Sequence, residues 1–256
     1  RVSRTSVVAI ADDPPAPAKG DTMRRNGELH IEAWGNGPPV VMVHGSLATG
    51  AEEWKEQAPL AEKGYRLIVF DRRGYGDSPP AEGEDFLRDA DDIADLLGDG
   101  AHVVAHSYGG LGAMVAAARR PEAVRSLALL EPPAFTMAGN DDDANRLVDG
   151  VRSIWDEDVS DRAWLQRFLD AVGTDPASLP HGFLDAVAPM VPVVRRGRPP
   201  WDREPPVAEL RAAPFSKLVV SGGHSDGFDA VCDSLAARID APRAEVAGAG
   251  HEIQFT

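Results

Sequence analysis

Short, continuous apolar runs are the feature that most constrains the fold of this chain. Residues 39–43 read Pro-Val-Val-Met-Val and residues 66–70 read Arg-Leu-Ile-Val-Phe, and each run stops at a polar residue. Runs that are apolar at nearly every position, rather than at alternate ones, are typical of strands buried on both faces of a parallel sheet. Between them, residues 53–63 predict a helix that is closed by Gly64, so this part of the chain reads as strand, helix, strand.

The same alternation of strands and helices continues along the chain. The further segments are a helix at 86–97, a strand at 103–105, a helix at 110–120, strands at 127–130 and 217–220, a helix at 228–239 and a strand at 244–247. Ahead of all of them, the Asn26-Gly27 pair predicts a hairpin turn before a short strand that ends near Trp34. The pattern predicts an α/β fold with a doubly wound, mostly parallel sheet.

Composition changes along the chain divide it into three regions. A proline-rich stretch near the start, D-D-P-P-A-P-A-K-G, lacks periodic apolar residues, so residues 1–22 are expected to form a poorly ordered leader or tail. Residues 134–206 interrupt the alternation after the sixth strand and carry proline clusters and helical patterns, which predict an inserted helical cap. The core is then expected to comprise residues 23–133 and 207–256.

Charge and cysteine content narrow the range of partners. The 256 residues include 41 acidic and 26 basic side chains, and the net charge of -15 repels nucleic-acid backbones and anionic membrane surfaces. The single cysteine, Cys232, excludes an intrachain disulfide, and no apolar run reaches the length of a signal-peptide core or a membrane span. We therefore expect a cytoplasmic protein that binds a small molecule and binds neither nucleic acid nor membranes. The oligomeric state is left open.

The hexapeptide at residues 105–110, Ala-His-Ser-Tyr-Gly-Gly, lies between a predicted strand and a predicted helix. Small residues two before and two after Ser107 are what a strained strand-to-helix turn requires. The motif resembles the G-x-S-x-G nucleophile elbow of the α/β-hydrolase family, with Ala105 in place of the first glycine. Residues 44–46 (His-Gly-Ser) resemble the family's oxyanion loop, and residues 71–78 (D-R-R-G-Y-G-D-S) resemble its D-x-R-G-x-G-x-S turn.

This resemblance implies a serine hydrolase that needs no metal and no cofactor. Ser107 would be the nucleophile, and the backbone N–H groups of Ser46 and Tyr108 would form the oxyanion hole. His251 follows the last predicted strand in an A-G-H segment that resembles the family's G-H loop, so it would act as the general base. Five residues follow His251 in this sequence, where members of the family usually have another helix.

The acid of the triad has two candidates. The commoner family pattern places an aspartate after the seventh strand in G-x-x-D, and residues 221–226 (S-G-G-H-S-D) offer Asp226 with the register ambiguous by one residue. Glu131 follows the strand at 127–130 and matches the variant in which the acid follows the sixth strand. A carboxylate at the end of a buried strand needs a partner, which an imidazolium provides. We favour Glu131, with Asp226 as the alternative.

The predicted reaction is cleavage of a carboxylic ester or lactone through an acyl-enzyme. Because such a cap covers the nucleophile and this one is rich in aromatic residues, the substrate is expected to be apolar or aromatic, with Trp201 as the foremost contact. The other expected contacts are His44, Leu47 and Phe135. Two alternatives are a C–C hydrolase, lyase or cyclase on the same fold, and a non-catalytic ligand-binding member.

Overall fold

The sheet has eight strands within the residues that this computed structural model describes, namely 21–23, 29–174, 179 and 181–256. The strands are β1 (Asp21–Met23), β2 (Ile31–Trp34), β3 (Pro39–Val43), β4 (Arg66–Phe70), β5 (Ala101–His106), β6 (Val124–Leu130), β7 (Ser216–Ser221) and β8 (Arg243–Glu245). Their order is β1-β2-β4-β3-β5-β6-β7-β8; β1 and β2 are antiparallel to their neighbours and the other pairs are parallel. The predicted doubly wound, mostly parallel sheet is confirmed.

Both faces of the central strands are buried, as their apolar runs predict. Along β3, Val41 and Val43 belong to the larger core cluster, whereas Val40 and Met42 belong to a smaller cluster that includes Trp54. Because side chains alternate between the two faces of a strand, helices must cover the sheet on both sides.

The helices of the core are α1 (Gly50–Glu53), α2 (Pro59–Glu62), α3 (Phe86–Leu96) and α4 (Ser107–Arg119). The single helix predicted over residues 53–63 is wrong, because α1 and α2 are separated by a 3-10 turn at Lys55–Gln57. Pro59 is at the start of α2, where its missing N–H is tolerated, but inside one continuous helix it would have removed a hydrogen bond.

The N-terminal boundary of the core also differs from the prediction. Strand β1 begins at Asp21, which pairs with Ala33 of β2, so the sheet starts two residues before the predicted boundary at Met23. Residues 1–20 and the predicted turn at Asn26-Gly27 lie outside the described residues.

The segment between β6 and β7 is largely helical, as its composition predicts. Its helices are α5 (Asp142–Trp155), α6 (Asp161–Ala171), α7 (Phe183–Val187), α8 (Val191–Arg195) and α9 (Val207–Ala212), and they are followed after β7 by α10 (Asp226–Ile239). The Asp141 carboxylate caps α5 and the Ser160 hydroxyl caps α6, so each helix begins where a side chain accepts its free backbone N–H groups. Among the described residues, no helix is both long and apolar enough to cross a membrane.

Candidate active site

Ser107 lies at the turn from β5 into α4, as the first residue of the helix. Its φ angle is +48°, a left-handed value that is uncommon for a residue other than glycine. The turn is also crowded, because a Cβ atom on Gly109 would lie 2.4 Å from the carbonyl oxygen of His44. The small residues of the motif are therefore needed to bring this strained turn against the neighbouring strand end.

Ser107, His251 and Glu131 form one line of contacts. The His251 Nε2 atom is 3.0 Å from Ser107 Oγ, and its Nδ1 atom is 2.7 Å from Glu131 Oε2. Because an ionised carboxylate only accepts hydrogen bonds, His251 Nδ1 carries the proton, which leaves Nε2 free to accept the serine hydroxyl hydrogen. The structure thus brings together the nucleophile, the base and the favoured acid of the sequence analysis.

Glu131 is fully buried at the end of β6, in a left-handed conformation with φ of +41°. Its Oε1 atom accepts the backbone N–H of Gly222 at 2.6 Å and lies 3.3 Å from Nδ1 of His224. Burial by itself raises the pKa of this carboxyl, but the adjacent His224 and His251 rings and the hydrogen bond from the Gly222 N–H outweigh it and lower the pKa to about 2. The acid is therefore ionised at neutral pH.

Asp226, the alternative acid, does not contact His251. It is exposed in the first turn of α10, after the Ser225 cap, where a carboxylate is favoured by the helix dipole. It borders an open acidic depression together with Asp141, Asp143, Asp229 and Asp233.

A buried ion pair that no sequence motif indicates lies behind the nucleophile. His106 Nδ1 is 3.1 Å from Glu53 Oε1, and His106 Nε2 is 3.0 Å from the backbone carbonyl oxygen of His251. Burial opposes the charge on His106, but Glu53 outweighs it and raises the pKa of the imidazole to about 9. Glu53 also accepts the N–H of Gly45 with both oxygens. The ion pair therefore connects the loop at residues 44–46 with the nucleophile turn, through His106, and with the backbone at His251.

A cavity of about 520 Å³ opens onto Ser107 and His251. Of the expected contacts, Leu47 and Phe135 line it, as do the two residues assigned to the oxyanion hole, Ser46 and Tyr108. The rest of the apolar wall combines aliphatic side chains with aromatic ones, which are Trp155, Phe168, Phe183, Phe228 and Phe255. Much of this wall comes from the helical segment between β6 and β7, and Phe228 of α10 adds to it.

Trp201 and His44, the other two expected contacts, do not line this cavity. Trp201 lies behind the cavity wall, where its ring packs edge-on against Trp155 at 5.2 Å between centroids and faces the Arg152 guanidinium. His44 is fully buried, and its Nε2 atom accepts the backbone N–H of Arg72 at 2.8 Å. Burial, with the nearby Arg72 charge, holds the pKa of His44 well below its ordinary value, so this histidine is a neutral structural residue.

In the part of the chain that the structure describes, the clusters of potential metal ligands all include His251. Among the described residues, Glu131, His224 and His251 bring ligand-type atoms within 4.8 Å of one another, as do His106, His251 and Glu252. Both groups include His251, whose ring nitrogens already contact Ser107 and Glu131. We therefore assign no metal to either group.

Comparisons with known proteins identify the fold family. A family model described as alpha/beta hydrolase fold matches residues 38–162. A pimeloyl-[acyl-carrier protein] methyl ester esterase of Aeromonas salmonicida is 30% identical over 180 residues, which cover 66% of this chain and 70% of the esterase. A non-heme chloroperoxidase of Kitasatospora aureofaciens is 43% identical over 95 residues, or 35% of this chain and 34% of that protein. The structure of an alpha/beta hydrolase from Sphaerobacter thermophilus superposes with a TM-score of 0.62 at 25% identity, over 92% of this chain and 100% of that one.

Proposed function

Because the chain belongs to the α/β-hydrolase fold family, we propose that it is a serine hydrolase that cleaves a carboxylic ester or lactone through an acyl-enzyme. The observation that carries the proposal is the line of contacts from Ser107 Oγ through His251 to Glu131, at 3.0 and 2.7 Å, beneath an apolar cavity. The order of nucleophile, acid and histidine along the chain is also that of the family.

In the proposed reaction, His251 Nε2 takes the proton of Ser107 as the oxygen attacks the substrate carbonyl. The N–H groups of Ser46 and Tyr108 stabilise the resulting oxyanion, and that of Tyr108 has no acceptor within its helix because it lies in the first turn of α4. His251 then protonates the leaving alcohol, and Glu131 stabilises its imidazolium. A water molecule, activated by His251 in the same way, then attacks the acyl-enzyme and releases the carboxylic acid product.

The cavity supports an apolar or aromatic substrate of small-molecule size. Its volume of about 520 Å³ lies within the range of small-molecule sites, and its wall is mostly aromatic and aliphatic. The esterase relative is named for a methyl ester, which is a carboxylic ester with a small leaving group.

A fluorophosphonate probe tests the proposed nucleophile. We expect one phosphonyl group per chain, on Ser107, at neutral pH, and a labelling rate lower by about 10³-fold or more in His251→Ala, because the hydroxyl then has no base. Mass spectrometry of the labelled peptide and hydrolysis of nitrophenyl esters and lactones are the measurements.

Folded protein that remains unlabelled would contradict the proposal and favour a non-catalytic role. Labelling without hydrolysis of any ester or lactone would favour the C–C hydrolase, lyase or cyclase alternative.

The two aromatic residues Phe168 and Trp201 are expected to differ in their effect on substrate affinity. Phe168 lines the cavity, whereas Trp201 lies behind it, so Phe168→Ala should raise KM for an aromatic ester by roughly tenfold while Trp201→Ala leaves KM within about twofold. Steady-state kinetics on matched aromatic and acetyl esters measures the difference. An equal rise of KM in both variants would mean that the cap affects binding through its overall packing rather than through direct contact.

A further inference from the structure

We propose that His224 is a positioning residue that bridges, as an imidazolium, the triad acid Glu131 and the end of the cap helix α6. The inference depends on the proposed function for its effect on the reaction rate. The ionisation of the bridge itself is a property of the folded chain and needs no substrate.

His224 lies between β7 and α10 with only 12% of its side chain exposed. Its Nδ1 atom is 3.3 Å from Glu131 Oε1, and its Nε2 atom is 3.1 Å from the carbonyl oxygen of Val172, the residue that closes α6. Glu131 therefore lies between two histidines, with Oε2 against His251 and Oε1 against His224.

The proton count favours the charged form of His224, because both of its ring nitrogens face oxygen acceptors. A neutral imidazole has a single N–H, so it can serve either Val172 or Glu131 while its other nitrogen directs a lone pair at an oxygen. Among the described residues, the buried Nδ1 atom finds no hydrogen-bond partner of good geometry, and the nearby carboxylate is the group that a second proton would satisfy. Only the imidazolium donates toward both sides.

The surrounding charges act in the same direction. The last carbonyl groups of α6 form the negative end of the helix dipole, and Asp229 of α10 adds the charge of a second carboxylate. The His251 ring lies 6.0 Å away between centroids. Burial by itself lowers the pKa of His224, but the nearby Glu131 carboxylate, the Val172 carbonyl and the charge of Asp229 outweigh it and raise the pKa from its ordinary value of 6.5.

The sign of the pH dependence follows from this raised pKa. A group whose pKa is raised by folding contributes fully below its ordinary pKa of 6.5 and loses that contribution as pH rises through the higher folded value. Below that range, Glu131 Oε1 is held by His224 and Gly222, so Oε2 stays on His251. Above that pH range, His224 is neutral, so neither the C-terminal end of α6 nor Glu131 has a charged partner at this position. The placement of the cap and of the acid thus depends on the same proton.

His224→Gln tests the bridge because glutamine keeps a donor but cannot ionise. The matched control is His181→Gln, which makes the same change at an exposed histidine of the cap. Both variants and the wild type are labelled on Ser107 with the fluorophosphonate across pH 5 to 10. We expect the wild-type rate to decline on the alkaline side, the decline to be absent from His224→Gln, and the rate of that variant near neutral pH to be about tenfold lower. His181→Gln should follow the wild type. A His224→Gln profile that superimposes on the wild type would overturn the proposal.

A spectroscopic measurement separates this proposal from the proposed function. In the full chain labelled with 15N-histidine, the His224 resonances are those lost in His224→Gln, and they should show both ring nitrogens protonated well below pH 6.5. A single neutral tautomer there would refute the bridge even in an active enzyme. Conversely, wild-type protein that shows the doubly protonated ring but is not labelled would refute the proposed nucleophile while the bridge stands.

Discussion

Glu131→Gln should lower kcat for ester hydrolysis by about 10³- to 10⁴-fold while KM changes by no more than about twofold. An amide cannot stabilise the imidazolium that forms on His251. Its N–H group can also face Nδ1, which moves the ring proton to Nε2 and leaves the Ser107 hydroxyl without an acceptor. KM is spared because Glu131 lies below the cavity wall, behind His251. Single-turnover acylation with a nitrophenyl ester measures the effect on the chemical step.

Asp226→Asn is the matched control, since it makes the same carboxylate-to-amide change at the rival acid. Asp226 is exposed at the start of α10, so kcat should stay within about twofold of the wild type. Loss of activity in Asp226→Asn, with Glu131→Gln unaffected, would overturn the assignment of the acid.

The depressed pKa of Glu131 also predicts a loss of stability in acid. The free energy of unfolding of the wild type should fall as pH drops from about 4.5 toward about 2, and Glu131→Gln should lack this part of the pH dependence.

The buried strands and the nucleophile turn could be predicted because their physical requirements are local. A strand covered on both faces must be apolar along its whole length, as residues 39–43 are, and the turn at Ser107 needs small neighbours that are adjacent in sequence. His251 could be found for a related reason, because the ends of parallel strands meet at one edge of the sheet and it follows the last of them.

Contacts between distant segments could not be predicted in the same way. Glu53 and His106 are 53 residues apart, and neither carries a local pattern that sets it apart from a surface residue. The same holds for His224, which lies in the loop after β7, one residue before the helix cap Ser225. Composition predicts aromatic side chains between β6 and β7 but not which of them faces the cavity, and only their packing shows that Trp155 lines it while Trp201 packs against Trp155.

The second large effect is on stability: Arg72→Met should lower the free energy of unfolding by about 3 to 5 kcal/mol. Arg72 is fully buried, and its guanidinium donates to Asp89 at 2.8 Å, to Glu84 at 3.0 Å and to the carbonyl oxygens of His44 and Gly45 at 3.0 and 2.9 Å. Burial opposes this charge, but Asp89 and Glu84 outweigh it and raise the pKa of Arg72, so the side chain stays charged. Methionine fills similar space but leaves buried acceptors without a donor. Urea unfolding followed by circular dichroism measures the loss.

Arg73→Met is the matched control at the adjacent residue. Its bidentate pair with Asp92 is partly exposed, with 19% and 14% of the two side chains accessible, so its loss should cost no more than about 1 kcal/mol. If Arg72→Met is too unstable to purify, Arg72→Lys keeps the charge but not the planar fork, and it should lose about 1 to 3 kcal/mol. Equal stabilities of Arg72→Met and Arg73→Met would contradict the argument. They would mean that Glu84, which also accepts from Ser46 and Tyr75, and Asp89 find other donors when the guanidinium is removed.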